Sequence, residues 1–440
     1  MIESPSPRPR ITRPARRTLA SSVALALAAG VALAGCIDGD DGRRAGDPVT
    51  VYVSLPQRGP SGPDGRDAAD GARLALAEAE GRAGGREVRA ALLDDTVGRG
   101  AAARWSAARA GRNARRATRD AAAIAYIGEL ESGATRTSLP ITNEARILQV
   151  SPGSSAEDLV REPGTFDGVP ERFQPSGERT FARVVPSDRA QAQAGARWAA
   201  ARGNERATVV VERSAFGRTV ADAFAEEAAS AGIEVERRRL ERLLAALPVA
   251  DRPQAGSRLA ECRPRPDLAA EVDARLGDRG ITYFAGADQR ALALLGCMLP
   301  LPGPLMATDA LLPWVGALGG EETVNDVLLT SAAQVPAQLP PAGRDFVERF
   351  RDEYDRRPGS YAAYGYEAMA AVLEAIERAA DGGGDRTQVI DAFLATADRD
   401  SVIGRYSIEP IGDTTLDRMT GYRLEGGRAR PVAELRARGR

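Results

Sequence analysis

From residue 49 onward short apolar runs alternate with amphipathic stretches, and this alternation restricts the fold more than any other feature. The runs at 49–55, 88–93, 123–127 and 147–150 are predicted strands. Between them lie predicted helices at 67–83, closed by Gly84-Gly85, from about Arg99, and at 135–145. A second series places strands at 207–211, 233–238, 281–284 and 305–307, with helices at 187–202, 217–231, 267–277 and 289–298. Such alternation implies parallel sheets covered by helices on both faces. The units are too many for one sheet, so the expected fold is α/β with two lobes. The Arg/Pro/Gly-rich stretches 161–180 and 244–266 carry turn residues and are expected to be surface loop insertions.

The amino terminus has a different grammar. Arg8, Arg10, Arg13, Arg16 and Arg17 precede an apolar run from Leu19 to Gly35, the charge-then-apolar order of a secretory signal. The run ends in Leu33-Ala34-Gly35-Cys36, which resembles the lipobox of bacterial lipoproteins. That resemblance implies cleavage after residue 35, lipid on Cys36 and a membrane-anchored chain outside the cytoplasm. Residues 36–47, rich in Gly, Asp and Arg, read as a flexible tether. No later segment is long and apolar enough to span a bilayer. For the other two cysteines, Cys262 and Cys297, two readings stay open: a disulfide, or separate buried thiols.

Composition narrows the chemistry. All 59 basic residues are arginine, and the 440-residue chain has neither lysine nor histidine. A His-based nucleophile system, a His metal ligand, a Schiff-base lysine and a complete phosphate-binding P-loop are therefore unavailable. Residues 1–35 hold five arginines and one glutamate, so the remainder carries a formal −6 against −2 for the whole. A mildly acidic body disfavours nucleic acid as partner. No cofactor or metal is implied. The one conceivable acid–base arrangement sets Glu129 and Glu131 against Asp309.

Several short motifs, in order, cover nearly all of 48–425. They include Ser61-Gly62-Pro63 before Asp70-Gly71-Ala72, Ala125-Tyr126-Ile127-Gly128 before Ser132-Gly133-Ala134-Thr135, and Ser151-Pro152-Gly153-Ser154-Ser155. Pro186-Ser187-Asp188, Ala215-Phe216-Gly217, Ala307-Thr308-Asp309 and Pro358-Gly359-Ser360-Tyr361 follow. Together the series resembles the type I periplasmic solute-binding proteins, the Leu/Ile/Val-binding receptors of ABC importers and their relatives. The resemblance implies two doubly wound lobes joined by three crossovers, a hinge that closes on a small ligand, and an ABC permease as partner. Mapped onto this chain, lobe I would be 48–186 plus 333–402 and lobe II 187–332 plus 403–440.

In open α/β sheets ligands lie beyond the carboxyl ends of the strands, where strand order reverses. Loop 128–135 opens a helix there, whose free N–H groups suit an anion, and Ser132 adds a hydroxyl. By resemblance Ser132, Gly153 and Ser155 fall at positions for a ligand carboxylate and part of its ammonium, and the neighbouring Gly133 and Ser154 are expected to line the same site. Asp309 matches the acidic partner of that ammonium, and Phe216 an aromatic that packs on ligand. The ligand expected is an amino acid or a relative. Glu131 beside Ser132 departs from a plain carboxylate site, and the segment Asp64-Gly65-Arg66 is shorter than its counterpart in relatives. An alternative on the same fold is a ligand-sensing lipoprotein without transport.

Overall fold

The strand Val49–Leu55 (β1), six of its seven residues buried, runs along the middle of the first sheet. The computed structural model describes residues 46–162, 168–253, 280–299, 301, 303–315, 326–382 and 384–438. The 1–35 leader, Cys36, most of the tether, the 267–277 helix, Cys262 and the side chain of Cys297 lie outside the described residues.

After β1 come helix α1 (Gly62–Glu78), β2 (Arg82–Ala83), β3 (Arg86–Asp94), and the short pair β4 (Thr96–Val97) and β5 (Arg104–Trp105). Next are α2 (Ala107–Thr118), β6 (Ala123–Gly128), α3 (Ser132–Glu144), β7 (Leu148–Ser151) and β8 (Phe181–Arg183). Among the described residues the sheet order is β2-β3-β1-β6-β7-β8, parallel except for β2.

The chain then crosses at Pro186 into α4 (Asp188–Ala201), β9 (Arg206–Val211), α5 (Ala215–Ser230), β10 (Glu234–Arg239) and α6 (Leu240–Ala246). β11 (Ile281–Ala285), α7 (Gln289–Ala293), β12 (Leu305–Thr308), α8 (Leu312–Val315) and β13 (Val327–Ser331) continue this half. It crosses back into α9 (Pro341–Tyr354), α10 (Ser360–Ala379) and α11 (Arg386–Leu394), which pack on the first half. A third passage leads to β14 (Arg418–Glu425) and β15 (Arg428–Arg436). The second sheet has the order β10-β9-β11-β12-β13-β14-β15, with the last two strands antiparallel.

Both faces of each sheet are covered, as parallel strands require. In the first half α1, α10 and α11 bury one face, while Tyr52, Ala114, Tyr126 and Ile147 form a smaller core on the other. α1 and α10 approach backbone to backbone. A Cβ on Gly71 would stand 2.0 Å from the Ala362 carbonyl oxygen, and one on Gly365 would stand 2.0 Å from that of Ala68.

Four expectations need correction. The first helix runs from Gly62 to Glu78, earlier than 67–83, because Pro63 suits a first helical turn and the chain leaves the helix with Glu80 and Gly81 at positive φ. Gly84-Gly85 turns the β2–β3 hairpin instead of closing that helix. α2 begins at Ala107, well after Arg99, since Gly98 and Gly100 take positive φ and let β4 pair with β5. The expected loops are partly packed: Val169 and Phe173 join Leu139, Leu159 and Phe181 in a core, Leu244 and Leu247 enter the lobe II core, and 254–266 lie outside the described residues.

Where the passages between halves meet, Arg183 is fully buried. Its guanidinium donates to both carboxylate oxygens of Asp413, at 2.7 and 2.9 Å, and to the Ala156 carbonyl at 2.8 Å. Arg161 reaches Asp413 and Glu409 from the rim, at 3.3 and 3.5 Å. Residues next to the first passage are thus bonded to residues of the third.

Candidate ligand-binding cleft

In each sheet strand order reverses beside the first-formed strand: β1 lies between β3 and β6, and β9 between β10 and β11. Loops leaving the carboxyl ends of those strands cannot cover one another, which opens a crevice. In the second half the Glu212 carboxylate fixes the crevice edge, accepting from the Ala287 and Asp288 N–H groups at 2.6 and 2.8 Å.

On the lobe I side Ser132 opens α3, and its hydroxyl accepts from the Ala156 N–H at 3.3 Å, drawing the two loops together. Gly133 lies under the Trp105 indole, whose Cζ2 would stand 2.5 Å from a Cβ there. Gly153 meets Leu130 as closely, with Cδ1 2.6 Å from an added Cβ. Ser154 is fully buried, and its hydroxyl bonds Thr135 Oγ1 at 2.7 Å and the Glu129 carbonyl at 3.1 Å. Those internal bonds make Ser154 a brace of the loop. The Ser155 carbonyl accepts from the Asp188 N–H at the start of α4 at 2.9 Å.

Two glutamates near this helix end have opposite situations. Glu129 is buried beneath the crevice, accepting from Ser54 at 2.8 Å and Tyr126 at 2.6 Å. Burial first, and then the Asp95 carboxylate, push Glu129 well above the usual range, while burial lifts Asp95 to about 7. Glu129 is thus held inside lobe I by Ser54 and Tyr126, and does not face Asp309. Glu131 instead turns to the rim of α1, where its carboxylate accepts from the Ser61 hydroxyl at 2.5 Å.

From lobe II, Asp309 follows β12 and accepts from Gln191 Nε2 at 3.0 Å and the Ala332 N–H at 3.3 Å. Burial raises it despite these bonds. Asp188, close by, is lifted to about 7, first by burial. Phe216, the second residue of α5, packs against the lobe II core.

Sequence reasoning missed the groups between these walls. Asp64 in α1 is raised to about 6, first by burial, then by Asp67, Glu131 and Asp309. Burial and then Asp309, Asp64 and Glu131 raise the Tyr361 hydroxyl well above its usual value. Tyr422 is pushed to about 12 by burial and by Asp309 and Asp64, against a hydrogen bond with Ser360. Asp309 thus acts electrostatically on Asp64 and Tyr361, while Ser132 and Gly133 open α3 and Asp309 follows β12. Tyr361 stands in the Pro358-Gly359-Ser360-Tyr361 motif, Trp105 is a lone aromatic in an Ala/Arg-rich stretch, and Asp64 gives no signal beyond its place after Gly62-Pro63.

Solved structures share this architecture. The leucine-binding protein of Thermotoga maritima is 22% identical, with 88% of this chain and 99% of that one covered and a TM-score of 0.61. An ABC transporter substrate-binding protein of Desulfitobacterium hafniense, in complex with Leu, is 23% identical over 88% and 100%, with a TM-score of 0.63. A solute-binding protein of R. palustris in complex with benzoate is 17% identical over 88% and 96%, with a TM-score of 0.60. No curated protein matches the chain by sequence. Among the described residues no helix is long and apolar enough to cross a membrane. The family model described as periplasmic binding protein matches residues 48–240 and 301–428, and by that match, together with the two-sheet fold, the chain belongs to the periplasmic binding protein family.

Proposed function

We propose that this chain is the substrate-binding protein of an ABC importer, held outside the cytoplasm by lipid on Cys36, and that it captures an amino acid or related small polar ligand. The observations that support the reading are the periplasmic binding protein match over 48–240 and 301–428 and the reversal of strand order in both sheets, with Ser132 opening α3 and Asp309 following β12. The solved relatives with leucine and benzoate support a small organic ligand.

Lobe I is 48–186 plus 333–402 and lobe II is 187–332 plus 403–440, and closure about their connections traps the ligand. Asp309 meets the ligand's ammonium. Ser132, Gly133, Gly153 and Ser155 form the opposing wall, and Phe216 borders the lobe II side. The residues of the chain bind, and none transforms the ligand.

The test is thermal unfolding of the purified chain against amino acids, amides and small organic acids. A ligand at about 100 times its dissociation constant adds roughly 2.7 kcal/mol and raises the midpoint. A folded, ligand-free protein that responds to no compound sinks the reading. Separately, Cys36→Ser should move the chain from the membrane to the soluble fraction; unchanged partitioning removes the anchor and leaves ligand capture intact.

A further inference from the structure

Residues 96–119 hold seven arginines and no acidic residue, in a body whose formal charge after residue 35 is −6. Five of the seven, Arg109, Arg112, Arg115, Arg116 and Arg119, lie on α2 or its carboxyl cap, and all five are exposed. Steps of three and four set them along one face, while Ala110, Asn113, Ala114 and Ala117 bury the other. Among the described residues the side chains of Arg109, Arg112, Arg115 and Arg119 form no hydrogen bond or ion pair. Arg116 acts on the Tyr52 hydroxyl.

An arginine-rich composition does not by itself produce such a face. On other helices the arginines meet acids: Arg189 with Glu226 at 2.6 Å, Arg197 with Glu227 at 2.8 Å, and Arg349 with Glu78 at 2.7 Å. On α2 the row works against its own helix. Arg112 and Arg116, like Arg115 and Arg119, are four apart and repel. Arg109 stands in the first turn, which has no acid, where the helix dipole disfavours a cation. A face of this kind becomes favourable only against a negative surface.

Two further observations say which surface. Val97 and Trp105, in the β4–β5 pair that leads into α2, are two of the four exposed large hydrophobic side chains among the described residues. An exposed indole and an aliphatic side chain next to a row of arginines suit the boundary between headgroups and acyl chains. The chain also enters the fold beside this helix: the Thr50 N–H in β1 donates to the Ala122 carbonyl, just past the end of α2, at 2.7 Å. Residues 36–47 span at most roughly 40 Å, about twice the roughly 18 Å length of the helix. Lipid on Cys36 thus leaves α2 within reach of the bilayer.

We propose that the exposed face of α2 is a docking surface for an anionic lipid bilayer, with its arginines on the headgroup phosphates and Trp105 at the interface. The inference rests on the reading of Cys36 as an anchor, which brings the bilayer near, and is separate from ligand capture.

The test uses residues 36–440 with Cys36→Ser, which keep every described element and carry no lipid. Sedimentation with vesicles of equimolar phosphatidylglycerol and phosphatidylcholine is compared with sedimentation with phosphatidylcholine alone. The anionic vesicles should bind at least about ten-fold tighter at low salt, because each arginine near an anionic surface is worth about five-fold. That excess should shrink as salt is raised. Arg112→Gln, Arg115→Gln and Arg119→Gln combined should bring the ratio toward one, with an unfolding midpoint no lower than that of the parent.

Equal binding to both vesicles overturns the proposal, as does a triple variant that holds anionic vesicles as tightly as its parent. Binding to neither vesicle also overturns it and turns the face toward an acidic protein partner. Because the assay contains no lipidated cysteine, its failure is distinct from a failure of the anchor, which the Cys36→Ser partitioning of the full chain reads. Thermal unfolding with small solutes reads ligand capture separately.

Discussion

The passages between the lobes and the cleft both contain buried carboxylates, and the protein treats them in opposite ways. At the passages, burial alone would raise Asp413, but the Arg183 and Arg161 guanidinium groups hold it below the usual range. In the cleft, Asp64 meets only burial and other carboxylates and rises to about 6. A chain with 59 arginines has placed a guanidinium on the first and, among the described residues, none on the second. Arg183 and Arg161 thus compensate Asp413 from within the fold, whereas the carboxylates around Asp64 raise one another.

The sharpest way to break this contrast is Arg183→Met. Removing one partner of a buried pair should cost about 3–5 kcal/mol of stability, read from denaturant unfolding. A loss under about 1 kcal/mol would mean that Asp413 is compensated by water or by Arg161 alone. Asp309→Ala tests the other region and should act on binding: about 3 kcal/mol of affinity for a cationic ligand, by calorimetry, with little change in the empty protein's midpoint. Equal losses in both measurements would place Asp309 in the framework instead.

Asp64→Asn should stabilise the empty protein at pH 7.5 by about 2 kcal/mol, after a discount for its partial exposure. Destabilisation would show that the carboxylate has a favourable partner after all. The smallest effect is in pH. An acid whose folded value lies above its unfolded one contributes stability fully below the unfolded value, near 3.8, and loses it as pH rises through about 6. Between pH 5 and 7.5 the empty wild type should therefore lose about 1 kcal/mol more than Asp64→Asn. Asp95 and Asp188, each lifted to about 7, shift both proteins alike and drop out of the difference.

Much of the fold was legible because its signals are local. The apolar runs at 49–55, 123–127 and 207–211 and the amphipathic stretches between them already prescribe parallel sheets with covered faces. What stayed hidden depends on partners distant in sequence. Thr96–Val97 becomes a strand only by pairing with Arg104–Trp105, and that pairing delays α2. Phe173 looked like part of a loop because the core it enters is assembled from Leu139, Leu159 and Phe181. At the site, Ser132 and Asp309 were visible as residue types beyond strand ends. The character of Asp64 was not, since it is set by burial and by Asp309 in the other half. Nor could composition separate Glu129, locked against Ser54 and Tyr126, from Glu131 two residues on.

The indole of Trp105 has a practical consequence. It rests on Gly133 at the start of α3 while remaining 37% exposed, whereas Trp198 is 9% exposed, with its ring against Gly421 in β14. On the proposed reading, a solute arriving beside Ser132 should strip water from Trp105 and leave Trp198 untouched. Occupancy should then show as a blue shift in ultraviolet emission without any label, and Trp105→Phe should remove the Trp105 part of that shift.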